Sequence, residues 1–236
     1  MNKAFHIHTH RCRHMRDNNK EEEYIKKAIQ LGAVEIWFTD HAPFPENPFN
    51  NRMLIEELPE YIETLQTLKQ KYDSTIDVKI GLEIEYLPNY YEYYKKLYDS
   101  KIFDVLLLGQ HFSFLPDGRY TFSMDDKSDE AKLLANGLIE GMKTGFFSVV
   151  AHPDQIFRNQ KVWNDEMEKI AQEIKQCAND RGISLEKNIC NFYGKEKKNS
   201  YRMEFWKDLP NRMKTIYGLD AHAVKELEEF LDYAEG

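Results

Sequence analysis

Histidine and acidic side chains recur in this chain where predicted strands end. The chain opens with Phe5-His6-Ile7-His8, and its later histidines follow apolar, β-prone runs. Imidazole and carboxylate groups are the protein ligands of borderline divalent metals such as Zn, Fe and Mn. The other strand-end groups are Thr39-Asp40-His41, Gly81-Leu82-Glu83, Gly109-Gln110-His111, Ala151-His152-Pro153-Asp154 and Leu219-Asp220-Ala221-His222. The pattern predicts several metal ions held at one end of a barrel.

The spacing of the first histidines predicts a metal clamp. Successive residues of a strand point to opposite faces, so His6 and His8 are expected to point the same way. His14 lies in the following loop, where it is free to turn back toward a second metal.

The acidic candidates leave alternatives open. Glu83 and Glu85 share a face of the third predicted strand, and either side chain could bridge two metals. Gly81 favours Glu83, because a glycine allows close backbone approach. Asp220 is a candidate ligand and also a candidate helix N-cap, although a cap would leave His222 unexplained.

The elements that must position these residues alternate regularly. Predicted strands cover residues 4–8, 34–39, 76–84, 103–108, 146–150, 183–186 and 214–217. Predicted helices cover residues 20–31, 54–72, 89–100, 127–143, 164–181, 200–208 and 222–234. Alternation of this kind predicts a parallel sheet with covering helices, and seven cycles favour closure into an α/β barrel. In such barrels the active site lies at the C-terminal ends of the strands.

Composition narrows the class of protein. The 236 residues and the lack of a linker predict a single domain, 1–236. The formal net charge of −8 argues against a nucleic-acid surface. Three cysteines without paired spacing predict a reduced, cytoplasmic protein. No segment approaches the roughly 20 apolar residues of a membrane helix, so no membrane partner is expected. The sequence leaves the oligomeric state open.

The motifs resemble a known superfamily. His6-x-His8, Thr39-Asp40-His41, His152 and Asp220-x-His222 are similar, in this order and over essentially the whole chain, to the motifs of the PHP (polymerase and histidinol phosphatase) superfamily. The resemblance implies a distorted (β/α)7 barrel, TIM-like, with a metallohydrolase site. The segments Cys12-x-His14, Gly81-Leu82-Glu83, Leu108-Gly109-Gln110-His111-Phe112 and Ala151-His152-Pro153-Asp154 resemble the histidinol-phosphatase branch of that superfamily.

The resemblance implies a metal site with two to three divalent ions of Zn, Fe or Mn. The ligand set implied for the first ion is His6, His8, Glu83 and Asp220. The set implied for the second ion is Glu83, as a bridge, with His111 and His152. The set implied for the third ion is His14, His41 and His222. His10 receives no role from the resemblance, and a contact outside the ligand shell is expected for it.

The activity implied is a phosphatase reaction of histidine biosynthesis, the hydrolysis of L-histidinol phosphate to L-histidinol and phosphate. A hydroxide bridging two metals would attack phosphorus. Arg158 and Arg119 are candidate phosphate clamps, because a guanidinium forms paired hydrogen bonds to phosphate, and Arg11 and Arg13 are further candidates. Asp154 or a metal-bound water would protonate the leaving group. The loop 42–50 is expected to close over the substrate.

Other functions remain open at this point. One is a PHP phosphoesterase for another small ester, such as a sugar phosphate or a nucleotide. A nuclease or proofreading module is disfavoured, because the chain is short and acidic. A metal-binding protein without catalytic activity is disfavoured, because the ligand set matches what hydrolysis needs. The expected partners are a small phosphate monoester and its phosphate product.

Overall fold

Strands and helices alternate along the chain in the computed structural model, which describes residues 2–15, 17–193 and 201–230. The strands are Asn2–Ile7 (β1), Ala33–Phe38 (β2), Asp77–Ile84 (β3), Val105–Leu108 (β4), Val149–Val150 (β5), Ser184–Asn188 (β6) and Thr215–Gly218 (β7). The α-helices are Glu21–Gln30 (α1), Leu58–Lys71 (α2), Tyr91–Asp99 (α3), Glu130–Thr144 (α4), Asp165–Arg181 (α5), Ile189–Tyr193 (α6) and Val224–Phe230 (α7). The strand order in the sheet is the chain order, and every pair with a described register is parallel.

Helix α5 shows why these segments are helical. Its N-cap residue, Asn164, accepts a hydrogen bond from the backbone N–H of Met167 at 3.0 Å. It ends at Gly182, whose φ of 65° is the left-handed conformation that glycine adopts without strain. The apolar residues between these ends are buried at helical spacing. Among the described residues, no helix combines the length and the apolar character needed to cross a membrane.

Contacts divide the chain into two compact units. The first unit comprises residues 1–83, 96–106 and 217–236. In it, β1 pairs with β2 on one side and meets the segment 219–221 on the other. The N–H of His8 donates to the carbonyl of Ala221 at 3.0 Å, and the N–H of Leu219 donates to the carbonyl of Phe5 at 2.8 Å. The prediction of one domain, 1–236, stays a prediction.

The second unit comprises residues 84–95 and 107–216. Strands β4, β5 and β6 pair in parallel, and α4 packs on α5. Helix α4 comes close to the segment after β4 at Gly137, where an added Cβ would lie 2.7 Å from the side chain of Gln110. That side chain donates hydrogen bonds to the carbonyls of Tyr86 and Phe112. Gly137 therefore leaves the space in which the Gln110 side chain fixes the backbone of Phe112, the residue after His111, against that of Tyr86.

Two predicted helices differ from the structure, and one helix of the structure was not predicted. The helix predicted at 200–208 is wrong, because residues 201–208 form turns; residue 200 lies outside the described part. The backbone N–H of Arg202 donates to the Asp154 carboxylate at 2.8 Å, which fixes this segment by tertiary contact. Helix α6 was not predicted from the sequence. The helix predicted at 222–234 begins at Val224, and residues 231–234 lie outside the described part.

Candidate metal centre

A bulge in β1 brings the first two histidines together. The pairing of Ala4 with Ile36 and of Ile7 with Phe38 places two β1 residues opposite one residue of β2. His6 lies in this bulge with a φ of 64°. The Nε2 atoms of His6 and His8 are 3.0 Å apart, and both side chains are fully buried. The two rings share a face as expected, but the bulge, and not simple alternation, sets their geometry.

Two carboxylates converge on the same nitrogen atoms. Glu83, near the end of β3, has its Oε2 atom 3.5 Å from the Nε2 atoms of both His6 and His8. Asp220, which follows β7, has its Oδ1 atom 3.3 Å from the Nε2 atom of His8. His41 has its Nδ1 atom 3.1 Å from Oε2 of Glu83. Imidazole nitrogens and carboxylate oxygens that meet at one buried point form a donor set that fits a divalent metal.

A second pair of rings adjoins this point. The Nε2 atoms of His14 and His222 are 3.0 Å apart. The Nδ1 atom of His14 is 2.9 Å from the carbonyl of Asn51, and that of His222 is 2.9 Å from the carbonyl of Asp220. A carbonyl only accepts hydrogen bonds, so in neutral rings each Nδ1 carries the proton. The two Nε2 lone pairs then face each other, and a cation between them would satisfy both.

The residues His6, His8, His14, His41, Glu83, Asp220 and His222 are called the first cluster below. His8 lies at its centre, since its ligand atoms group with those of His6 and Glu83 and also with those of His41 and His222, all within 4.8 Å. Burial lowers the pKa of His8 to about 4, although Asp220 and Glu83 act in the opposite direction. A neutral imidazole at neutral pH is the form that binds metals.

The second unit holds its own group of histidines. The rings of His111 and His152 have their centroids 4.9 Å apart. The Nδ1 atom of His111 is 3.0 Å from Oε1 of Glu85. The backbone N–H of His152, a residue with a φ of 30°, donates to Oε2 of Glu186 at 2.9 Å. These four residues, Glu85, His111, His152 and Glu186, are called the second cluster. A carboxylate that fixes a histidine ring is a common support of metal sites.

The sequence pointed only in part to these supporting acids. Glu85 was considered as a bridging ligand, whereas in the structure it contacts His111. Glu186 received no functional role, although its side chain is fully buried and also lies 3.3 Å from the amide nitrogen of Asn188. A buried acid inside a β-strand was the available signal, because an ionised group is rarely buried without partners.

The predicted acid, Asp154, and the predicted clamp, Arg158, both lie near the second cluster in the chain. Asp154 is buried, and its Oδ1 atom has no hydrogen-bond partner among the described residues. Burial raises the pKa of Asp154 to about 7. Arg158 donates from Nη2 to the carbonyl of His111 at 2.9 Å and lies 3.4 Å from the Glu130 carboxylate. Both roles stay predictions.

The other predicted arginines have surface or helix partners. Arg119 pairs with Asp117 at 2.8 Å in an exposed loop. Arg11 pairs with Glu21 at 2.6 Å, and Arg13 pairs with Glu57 at 2.7 Å. These three guanidinium groups therefore already bind carboxylates, and their predicted phosphate contacts remain untested.

Arg52 is a buried arginine that was not predicted as a functional residue. Its guanidinium carbon lies 5.4 Å from the centre of the Phe44 ring and 4.9 Å from that of Phe49. Its Nη1 atom donates to the carbonyl of Ala42 at 3.4 Å. Phe44 and Phe49 are buried around this cation. In the structure the loop 42–50 thus packs against Arg52, which follows it in the chain. The closure of this loop over a substrate stays a prediction.

These features define a class of protein. A parallel α/β alternation, with imidazole and carboxylate groups collected after β1, β2, β3 and β7, is typical of α/β barrels that bind divalent metals. The model of the PHP domain family matches residues 5–189, and the chain belongs to that family. The resemblance seen in the sequence motifs is thereby confirmed.

Curated relatives carry histidinol-phosphatase names. A protein of Deinococcus radiodurans named a probable histidinol-phosphatase is 29% identical over 157 residues, covering 63% of this chain and 59% of that protein. The histidinol-phosphatase of Bacillus subtilis is 25% identical over 150 residues, covering 60% of this chain and 56% of that enzyme. The chain thus matches less than two thirds of the length of these relatives.

Solved structures share the fold. A candidate histidinol phosphatase of Listeria monocytogenes superposes with a TM-score of 0.79 at 20% identity, covering 98% of this chain and 99% of that one. A histidinol phosphate phosphatase of Lactococcus lactis, solved with Zn, L-histidinol and phosphate, gives a TM-score of 0.71 at 19% identity, covering 99% and 93%. The predicted (β/α)7-barrel fold is confirmed by these likenesses.

Proposed function

We propose that the protein is a metal-dependent phosphomonoesterase that hydrolyses L-histidinol phosphate to L-histidinol and phosphate. The observation that carries this proposal is the convergence of His6, His8, Glu83 and Asp220 on one buried point. The names of the curated relatives support the reaction, and the Zn, L-histidinol and phosphate bound by the Lactococcus protein support the metal and the substrate.

The first cluster fits metal ions by the chemistry of its donors. His6, His8, Glu83 and Asp220 are proposed to hold one ion. His14, His41 and His222 are proposed to hold another, which the facing Nε2 atoms of His14 and His222 support. Zn, Fe and Mn all accept this mixture of imidazole and carboxylate.

The second cluster is proposed to bind a further ion through His111 and His152. Glu85 would keep the His111 ring oriented by accepting its Nδ1–H, and Glu186 would hold the strained backbone of His152 in place. Two to three ions per chain are therefore expected.

The chemistry divides between the ions and the side chains. Divalent ions held by these residues would supply an acidified water and would neutralise the charge of the phosphoryl oxygens. Arg158 is proposed to bind the phosphate, with its guanidinium held beside the His111 carbonyl. Asp154 is proposed to give a proton to the leaving alcohol, a role supported by its burial and by a pKa that burial raises to about 7.

Phosphate release tests the proposal. Protein of known metal content is assayed with L-histidinol phosphate, p-nitrophenyl phosphate, sugar phosphates and nucleotides. The expected result is a kcat/KM for L-histidinol phosphate that exceeds the others by orders of magnitude, with two to three metals bound. Selectivity for another ester would mean that the protein is a phosphoesterase with a different substrate. Bound metal without any turnover would contradict the proposal that the protein is an enzyme.

His152→Ala and His10→Ala form a matched pair for this assay. His10 is a histidine without a proposed role, half-buried and 4.0 Å from Glu21. Turnover is expected to disappear in His152→Ala and to persist in His10→Ala, with both proteins folded by circular dichroism. Unchanged turnover in His152→Ala would contradict the proposed metal-binding role of His152.

A further inference from the structure

A cysteine with no role in the proposed reaction contacts two residues of the first cluster. Cys12 is fully buried in the turn after β1, where its N–H donates to the carbonyl of Thr9 at 3.0 Å. Its Sγ atom is 3.3 Å from Nδ1 of His8 and accepts the backbone N–H of His41 at 3.1 Å. One sulfur therefore lies against the ring of one proposed ligand and the backbone of another.

The hydrogen-bonding capacity of the groups around Cys12 limits where protons sit. A thiol has one donor, and its sulfur accepts weakly. The S–H has a carboxylate within reach, because Sγ of Cys12, a carboxylate oxygen of Asp40 and a ring nitrogen of His8 all lie within 4.8 Å of one another, and Asp40 also accepts the N–H of Thr9 at 2.8 Å. With S–H directed to Asp40, the sulfur accepts from both neighbours, the N–H of His41 and the Nδ1–H of His8.

The other ring nitrogen of His8 faces a different environment. Its Nε2 atom lies 3.0 Å from Nε2 of His6 and 3.3 Å from the Asp220 carboxylate. A neutral imidazole carries one N–H, so a proton on Nδ1 leaves the Nε2 lone pair free for a cation. In the opposite tautomer the proton would occupy the position that a metal needs.

We propose that Cys12 is a positioning residue that holds His8 in its Nδ1–H tautomer and in the orientation that aims Nε2 at a metal. The inference rests on the proposed metal site and deepens it. Among the described rings of both clusters, His14, His222 and His111 have an oxygen atom at Nδ1. At Nδ1 of His8 the neighbouring atom is a sulfur. Sulfur accepts the Nδ1–H more weakly than oxygen does, but it still fixes the tautomer.

The test uses the full chain with Zn²⁺ bound and with histidine labelled by nitrogen-15. Long-range proton–nitrogen NMR spectra report which ring nitrogen of each histidine is protonated, and His8→Gln assigns the His8 signals. Wild type is expected to show His8 protonated at Nδ1. Cys12→Ser, which keeps a donor and an acceptor, is expected to preserve this tautomer, whereas Cys12→Ala is expected to give a mixture.

Metal affinity provides the second readout. Zn²⁺ titration is expected to show roughly 10–100-fold weaker binding in Cys12→Ala, the usual cost of losing a group that orients a ligand. Cys12→Ser is expected to recover most of that loss. Cys177→Ala, on helix α5, is the matched control and is expected to bind like wild type.

Several outcomes would overturn the inference. His8 protonated at Nε2 in the Zn²⁺-bound wild type would overturn it without any variant, so a poorly folded Cys12→Ala does not block the test. Wild-type affinity and tautomer in Cys12→Ala would also overturn it. An intense sulfur-to-metal charge-transfer band in the Co²⁺ protein would make Cys12 a ligand instead. Failure of wild type to bind Zn²⁺ would contradict the proposed function, whereas Zn²⁺ binding that Cys12→Ala leaves unchanged would overturn this inference alone.

Discussion

The two clusters hold their histidines in different ways. In the first cluster, ring nitrogens face one another, as in the 3.0 Å approaches of His6 to His8 and of His14 to His222. In the second cluster, a carboxylate contacts the His111 ring and another holds the backbone of His152. The facing lone pairs of His14 and His222 need a cation to be stable, whereas hydrogen bonds to carboxylates exist without one. The first cluster is therefore expected to depend on metal, and the second to be formed in its absence.

The largest effect is expected from His8→Ala. His8 belongs to two of the groups of ligand atoms in the first cluster, so its loss should weaken both proposed ions there. Activity is expected to fall by at least about a thousandfold, as when a main electrostatic contribution is removed. Mass spectrometry of bound metal should show greater loss in His8→Ala than in His152→Ala, and equal loss would remove the distinction between the clusters.

Metal removal is expected to have the next largest effect, now on stability. At a free metal concentration a hundred times Kd, binding stabilises the folded state by about 2.7 kcal/mol. For a chain of this size, that corresponds to a rise in Tm of roughly 5–10 °C. Calorimetry with and without a chelator measures the rise. His8→Ala should lose more of the rise than Glu85→Gln, and a Tm insensitive to chelator would contradict a metal-dependent first cluster.

Glu85→Gln tests the comparison in the second cluster. The amide still accepts a hydrogen bond from His111 but carries no charge, so the ring loses its anionic partner. A loss of about tenfold in kcat/KM is expected, near the lower end of the effect of such supporting groups. Glu92→Gln, at an exposed position of α3, is the matched control. A kcat/KM equal to wild type would mean that Glu85 does not tune His111.

An effect of similar size, but on KM alone, is expected from Arg158→Met. Its guanidinium donates to the carbonyl of His111, so a substitution there should weaken phosphate binding near the second cluster. KM is expected to rise about tenfold, the value of one hydrogen bond to a charged group. Arg119→Met should leave KM unchanged, because Arg119 already pairs with Asp117 in an exposed loop. A rise in KM for Arg119→Met alone would reverse the two assignments.

The sequence predicted the elements better than the details of the site. All seven strands were found, because apolar runs and strand-end polar groups mark them in the chain itself. The left-handed backbone of His6 was not predicted, since the bulge follows from the pairing of β1 with β2. The contacts of Cys12 with His8 and His41 were not predicted for the same reason, because they depend on tertiary packing.

The wrong helix has a related cause. Residues 201–208 have helical composition, yet in the structure they form turns tied to other parts of the second unit. The buried Lys175 donates from Nζ to the carbonyl of Lys207 at 2.9 Å, and the Asp154 carboxylate accepts the N–H of Arg202. Such contacts join residues far apart in the chain, and local propensity is a weak guide where they act.

The pairing of β1 with the segment 219–221 has a consequence for the order of events during protein synthesis. The histidines of β1 leave the ribosome before Asp220 and His222 have been synthesised. A nascent chain that stops before residue 219 lacks both the strand neighbour of β1 and two members of the first cluster. We therefore expect loading of this cluster to wait until residues 220–222 have been synthesised, so that metal binds a chain that already contains both partners of this pairing and not β1 alone.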